Sequence, residues 1–228
     1  MTGAERRLLA GTARRFGVEL DEGHLESLGI YLDELFSWNR RVNMTGLKSR
    51  DRMLVELIAD SVIPVPRLPE SGFFLDVGTG PGIPGIPIKI LRPGLSAELL
   101  EPRGRMNTFL RHVIRLLALQ EIRPLRGRIE TDRDLLRSEG YSVITARAVA
   151  GLAKTLEWCA PHLAPGGVFV GFAGKQGGVE LEQSLEIMGR HALTVEKTLS
   201  YTLPHVHGER LTIFFRKQEK GDGCGVTS

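Results

Sequence analysis

Apolar positions change their spacing once along the chain, near residue 70. Before that point Leu25, Leu28, Tyr31, Leu32, Leu35, Phe36 and Trp38 recur mostly at three- and four-residue intervals. This spacing places them on one face of an amphipathic helix of several turns. Asp21 stands where a side chain can cap its first free N–H groups. Met53, Leu54, Leu57 and Ile58 repeat the pattern and predict a second helix over 50–61. Residues 1–65 carry no strand pattern, and Pro64, Pro66 and Pro69 then stop helix formation and mark a linker.

From Phe73 short apolar runs alternate with helical ones. Strands are expected at 73–77, 97–101, 122–125, 142–145 and 167–172, with amphipathic helices between them at 105–119 and 152–163. Two more strands at 193–203 and 210–216 read as an antiparallel pair. Such alternation implies an α/β fold with a largely parallel sheet covered on both faces, binding ligands at the carboxyl ends of the strands. The expected organisation is a helical segment over 1–66, an α/β domain over 70–217 and a polar, glycine-rich, disordered tail over 218–228. No internal repeat is present.

With 228 residues, 42% hydrophobic and 25% charged, the chain is expected to be soluble and globular. No apolar stretch is long enough to span a bilayer, and the first residues hold no sustained apolar segment, so neither an anchor nor a signal peptide is read. Cys159 falls in an expected helix and Cys224 in the tail, which argues against a disulfide and fits the cytoplasm. The net charge of +3 says little by itself. The placement of Arg40 and Arg41 after Trp38, of Arg103 and Arg105 after the second strand, and of Arg123, Arg126 and Arg128 after the next helix would suit a polyanion. It also suits ordinary solvated arginines.

The run FFLDVGTGPGIPG, 73–85, carries the chemistry. A strand ends in Asp76 and opens into a loop with Gly78, Gly80, Gly82 and Gly85, so the backbone can approach a nucleotide-like ligand closely. An acid followed by glycines suits S-adenosyl-L-methionine, which carries an amino group and a sulfonium. Asp76 would face that amino group or order the loop through backbone N–H groups, although a plain turn or cap is also open. Glu101 ends the second strand, where a carboxylate can accept from both ribose hydroxyls. Ile129 and Glu130 follow the third strand at the turn that closes over adenine in this architecture, or simply begin a helix. Arg147 ends the fourth strand and could meet a phosphate, a guanine edge, a cofactor carboxylate or a neighbouring acid. Lys175 lies on a glycine-rich turn after the fifth strand. His205 and His207 have no partners for a zinc site. Residues 80–85 also fit G-x-G-x-x-G, so a nicotinamide enzyme stays open as a weaker reading.

The strings YLDELFSWNRRVNMTGL, ADS, FFLDVGTGPGIPGIPIKILRP and ITARA, in this order, resemble the glucose-inhibited division protein B family over roughly 30–178. Those proteins are bacterial small-subunit ribosomal RNA guanine-N7 methyltransferases. The resemblance implies a Rossmann-like class I methyltransferase domain behind a small helical one, S-adenosyl-L-methionine as cofactor, and 16S ribosomal RNA or the small subunit as partner. A monomer is expected. It implies cofactor contacts at Gly78, Ile83, Glu101, Ile129, Glu130 and Arg147, beside Asp76, Gly80 and Gly82. Arg147 and Lys175 would also serve at the reacting centre. The segment with Asn39, Arg40, Asn43 and Thr45 would lie near the cleft, and Asn39, Arg40, Arg41, Asn43, Arg103 and Arg105 would face RNA.

The chain departs from the family in three places. Glu56 and Leu57 replace an Arg-His pair, Lys175 lacks its usual L-K-G setting, and Glu101 stands where Asp is commoner. Methyl transfer to guanine N7 needs no general base, which matches a motif set without a catalytic dyad. A methyltransferase of the same fold acting on a small molecule or protein, and a non-catalytic RNA-binding or cell-division factor, are the rival readings.

Overall fold

The computed structural model describes residues 1–147, 149–174 and 177–219. A seven-stranded sheet has the order β3-β2-β1-β4-β5-β7-β6. Its strands are β1 (Ser71–Val77), β2 (Gly94–Leu100), β3 (Ile122–Leu125), β4 (Tyr141–Arg147), β5 (Leu163–Ala173), β6 (Leu193–Tyr201) and β7 (Arg210–Lys217). The first five are parallel and β7 is antiparallel to both β5 and β6. The order reverses between β1 and β4, and ligands of open α/β sheets bind at such a switch point.

Alternate residues of each strand feed different cores. Phe74, Ala97, Val143, Val168, Val170 and Phe214 face one way, with Val62, Val65, Leu68 and Ile88. Leu75, Val77, Leu100, Ile144, Phe169 and Phe215 face the other, under α7 (Leu152–Cys159), α8 (Gly177–Gln183) and α9 (Leu185–Arg190). Strand β6 is a polar edge with Glu196 and Lys197 exposed, which discourages pairing with another chain.

The N-terminal helices are α1 (Gly3–Arg14), α2 (Glu22–Val42) and a rod over 50–62, made of α3 (Arg50–Met53), a π-helical stretch (Leu54–Ala59) and α4 (Asp60–Val62). They cover α5 (Gly85–Leu91) and α6 (Gly104–Leu116), sharing one core through Tyr31, Leu35, Met53, Ile86, Ile90 and Phe109. Every residue of α5 is buried, which explains its all-round apolar sequence GIPIKIL. Its one cation, Lys89, donates to the carbonyls of Pro93 and Leu95 at 2.8 and 2.5 Å.

Differences from the sequence reading are local. The helix expected over 152–163 stops at Cys159, because Pro161 turns the chain through a 3-10 segment (Ala160–His162) into β5. The connection at 64–69 is a 3-10 turn (Val65–Arg67) with Val65 and Leu68 in the core, so it is a packed corner in which Pro64 is buried while Pro66 and Pro69 are exposed. Helix α6 ends at Leu116, and Ala118 behind it is left-handed with φ 49°. Cys159 is free and buried. Cys224 and most of the expected tail lie outside the described residues.

Candidate active site

Asp76 builds the glycine loop. Its Oδ2 accepts from Thr79 Oγ1 at 2.5 Å and from the Gly85 amide at 2.8 Å, and its Oδ1 accepts from Thr145 Oγ1 at 2.7 Å. The carboxylate is fully buried, and burial pushes its pKa up to about 6 against the pull of those hydrogen bonds and of Arg147. Of the roles open in the sequence, the one the geometry supports is ordering the loop. Tyr31 on α2 fastens the loop from the other side, donating to the Pro81 carbonyl at 2.9 Å. Burial and nearby Asp76 push the Tyr31 phenol well above its usual pKa, so it stays a neutral donor.

Gly78, Gly80 and Gly82 all have positive φ. Gly78, at φ 65°, faces a cavity of about 280 Å³, and a Cβ there would lie 2.6 Å from Val149 Cγ2. The same cavity is lined by Glu101, Arg103, Arg128, Ile129 and Glu130. Strand β2 and the turn after β3 therefore bring Glu101, Ile129 and Glu130 to the loop. Ile83 is different: its side chain is buried in the core shared with Tyr31 and Phe109 and does not line the cavity. The helices covering the loop claim that side chain.

Glu101 is 1% exposed. Its Oε2 accepts from the Gly80 amide at 3.0 Å and Arg103 Nη2 at 3.3 Å. Its Oε1 accepts from the Arg103 amide at 3.0 Å and Arg103 Nε at 2.6 Å. Arg103, expected at RNA, therefore lies in the cavity and grips the acid expected at the ribose.

A second cavity, of about 530 Å³, opens at the carboxyl ends of β4 and β5. Val149 lines both cavities and marks their junction. Arg147 reaches into the second one from the end of β4, donating through Nη2 to the Glu56 carbonyl at 2.7 Å and pairing with Asp60 Oδ2 at 3.1 Å. Its Nη1 is buried without a hydrogen-bond partner among the described residues. An unsatisfied buried charged donor costs on the order of 1–3 kcal/mol or more, so this end of the guanidinium is held at a cost to the fold.

Sequence reasoning gave no role to what surrounds Arg147. Arg210 bridges Asp60 at 3.1 Å and Glu56 at 2.9 Å, and Arg52 adds a 2.6 Å contact to Glu56. Tyr201 donates to Asp60 Oδ1 at 2.8 Å, and burial raises its pKa so that it stays protonated. Glu56, which replaces the family's arginine, is thus tied to two arginines. The available signal was the ADS string, which contains Asp60.

The expected RNA-facing residues divide. Arg40, Arg41 and Arg105 are exposed. Asn39 is structural: its amide donates to the Leu47 carbonyl at 2.8 Å and accepts from the Thr45 amide at 2.7 Å. Asn43 is the left-handed residue that ends α2, at φ 45°. Lys175 lies outside the described residues.

A parallel sheet with an antiparallel β7, a glycine loop after β1 and an acid after β2 defines the class I methyltransferase fold. Solved structures share it. M. jannaschii TYW2 in complex with AdoMet matches with TM-score 0.57 and 14% identity over 70% of this chain and 74% of its own. A ribosomal protein L11 methylase from Lactobacillus delbrueckii gives TM-score 0.56 and 15% identity over 72% and 79%. The chain belongs to the GidB family, rRNA small subunit methyltransferase G, whose model matches residues 24–213. A ribosomal RNA small subunit methyltransferase G of Chloroflexus aggregans is 36% identical over 214 residues, covering 92% of this chain and 87% of the relative. One from Yersinia enterocolitica is 35% identical, covering 88% and 93%. The resemblance and fold class read from the sequence are both borne out.

Proposed function

We propose that this chain transfers a methyl group from S-adenosyl-L-methionine to N7 of a guanine in 16S ribosomal RNA. Family membership across 24–213 supports the reaction class and the RNA. The observation that carries the site is the meeting of two cavities at Val149, one lined by Gly78, Glu101 and Ile129 and the other by Arg147. The first fits the cofactor: a cradle that a Gly78 Cβ would crowd, a carboxylate for a diol and a buried isoleucine beside it.

Held by Gly78, Glu101 and Ile129, S-adenosyl-L-methionine would supply an electrophilic methyl group on a sulfonium, the electron pair of the broken carbon–sulfur bond staying on sulfur as guanine N7 takes the carbon. Guanine N7 carries a lone pair and no proton, so no residue of the chain has to act as a base. The chain's task is positioning, which can contribute about 7–11 kcal/mol to such a step. The loop fixed by Asp76, Tyr31 and Glu101 orients one reactant. Arg147, which lines the second cavity, is the cation for an oxygen of the other, the guanine O6 or a nearby phosphate. The target base must be accessible in the folded RNA, and exposed arginines supply phosphate contacts. The chain acts as a monomer in the cytoplasm, where its substrate is assembled; among the described residues no helix is long and apolar enough to cross a membrane.

Transfer of label from S-adenosyl-L-methionine to small-subunit RNA from cells lacking this protein, followed by mapping of the base, tests the reading. Label at one guanine N7 is expected. Cofactor binding without label on RNA or subunits would transfer the proposal to a small-molecule or protein substrate. Arg147→Ala should abolish turnover while leaving cofactor affinity unchanged.

A further inference from the structure

A carboxylate has roughly four lone-pair positions, and those of Glu101 are all taken. Two are filled by backbone amides, of Gly80 and Arg103, and two by the Arg103 side chain through Nε and Nη2. The backbone bonds belong to the loop and to the start of α6 and cannot be given up without moving both. A ribose diol needs two acceptor positions, and the two held by the guanidinium are the ones that can be released. Arg103 is free to leave, because its side chain is 51% exposed while that of Glu101 is 2% exposed. Its guanidinium also overhangs the loop, with Nη2 3.8 Å from where a Gly80 Cβ would stand.

The place to which Arg103 would go is already basic. Arg105, Arg126 and Arg128 are exposed around this end of the sheet. The Arg126 guanidinium lies over Gly104, 3.7 Å from where its Cβ would stand, in the turn that follows Arg103. A guanidinium released from a carboxylate into this company has gained like-charged neighbours and lost its counter-ion. A phosphate of the RNA backbone restores the balance with a bidentate, charge-assisted contact.

Resting on the cofactor site given under Proposed function, we propose that Arg103 competes with the cofactor ribose for Glu101 and, once displaced, holds a phosphate of the substrate RNA. Arg103 therefore sets the apparent cofactor affinity and makes RNA binding stronger when cofactor is present. The acid alone would bind the ribose more tightly; the arginine gives up part of that affinity to couple the two substrates.

The test measures binding of S-adenosyl-L-methionine by calorimetry. It also measures binding of unmethylated small subunits with and without S-adenosylhomocysteine, using the full chain. Arg103→Ala should bind cofactor several-fold more tightly than wild type. Wild type should bind subunits about ten-fold more tightly with S-adenosylhomocysteine than without, the worth of one charge-assisted hydrogen bond. Arg103→Ala should show no such gain. Arg115→Ala, which removes a charge from the far end of α6, should leave the gain in place and cofactor affinity as in wild type. Unchanged or weaker cofactor binding by Arg103→Ala, or an undiminished gain, would overturn the proposal. Glu101→Gln separates the two layers. If it leaves cofactor affinity intact, the ribose site itself is wrong; if it weakens cofactor while Arg103→Ala changes nothing, only the competition is wrong.

Discussion

Arg147 and Asp60 meet at 3.1 Å across the mouth of the second cavity, one at the end of β4 and the other at the end of the π-helical turn. Asp60 is 1% exposed and also holds Arg210 and Tyr201, so one carboxylate sets the position of three side chains around the cavity. Removing one partner of a buried ion pair typically costs about 3–5 kcal/mol. Asp60→Asn should lower the urea midpoint accordingly and reduce turnover, with cofactor affinity close to wild type. A variant with wild-type kcat would show that Arg147 does not depend on Asp60.

Asp76 gives a pH dependence of unusual sign. Its folded-state pKa of about 6 lies above the ordinary carboxylate value, so between the two the folded chain binds more protons than the unfolded one. Stability contributed by this group is greatest below about pH 4, falls as pH rises through about 6, and is flat above, a total of about 3 kcal/mol. Asp76→Asn removes the titration. The stability difference between wild type and Asp76→Asn should therefore shift against wild type over that window, as read from urea unfolding at a series of pH values. A flat difference would mean that the buried carboxylate titrates normally.

The fold was legible because its cause is local. Short continuous apolar runs at 73–77, 142–145 and 167–172 report strands buried on both faces, and FFLDVGTGPGIPG reports a loop whose backbone must take positive φ. Glu101 and Arg147 were singled out because they lie at strand ends, and each lines a cavity there. What escaped reading depends on partners distant in sequence. Asp60 meets Tyr201 and Arg210 from 141 and 150 positions away, and nothing near Asp60 announces either. Ile83 was placed at the cofactor by the resemblance alone, and its burial under α2 and α6 is a tertiary fact that no local pattern carries. Arg103 escaped for a different reason: its partner Glu101 is only two positions away, but the sequence does not show that the guanidinium turns back onto it rather than out to solvent.

Gly85 allows a close approach between the loop and β2. A Cβ there would stand 2.4 Å from Leu99 Cδ2 and 2.7 Å from Asp76 Oδ2, on the residue whose amide the Asp76 carboxylate accepts. Overpacking of this kind costs about 1–3 kcal/mol, and here it also pushes on the loop's anchor. Gly85→Ala should lower the unfolding midpoint and weaken S-adenosyl-L-methionine binding together. Gly11→Ala is the contrast: it lies inside α1 with nothing within 4 Å of its Cβ, and should stabilise by up to about 1 kcal/mol. Equal behaviour of the two variants would refute the steric argument.

Arg40 and Arg41 stand exposed in the last turn of α2. If they neutralise RNA phosphates, each releases condensed counter-ions when the complex forms, and log affinity falls with log salt by about 0.7–0.9 per contact. The double variant Arg40→Ala/Arg41→Ala should then bind unmethylated small subunits with a slope shallower by about 1.4–1.8 than wild type. The loss should be largest at low salt and should disappear as salt rises, because these contacts carry no base information. Cofactor binding, measured in parallel, should not change, since neither arginine lines the cavity of Gly78 and Glu101. An unchanged slope would place the RNA elsewhere, leaving Arg105, Arg126 and Arg128 as the basic groups that receive it.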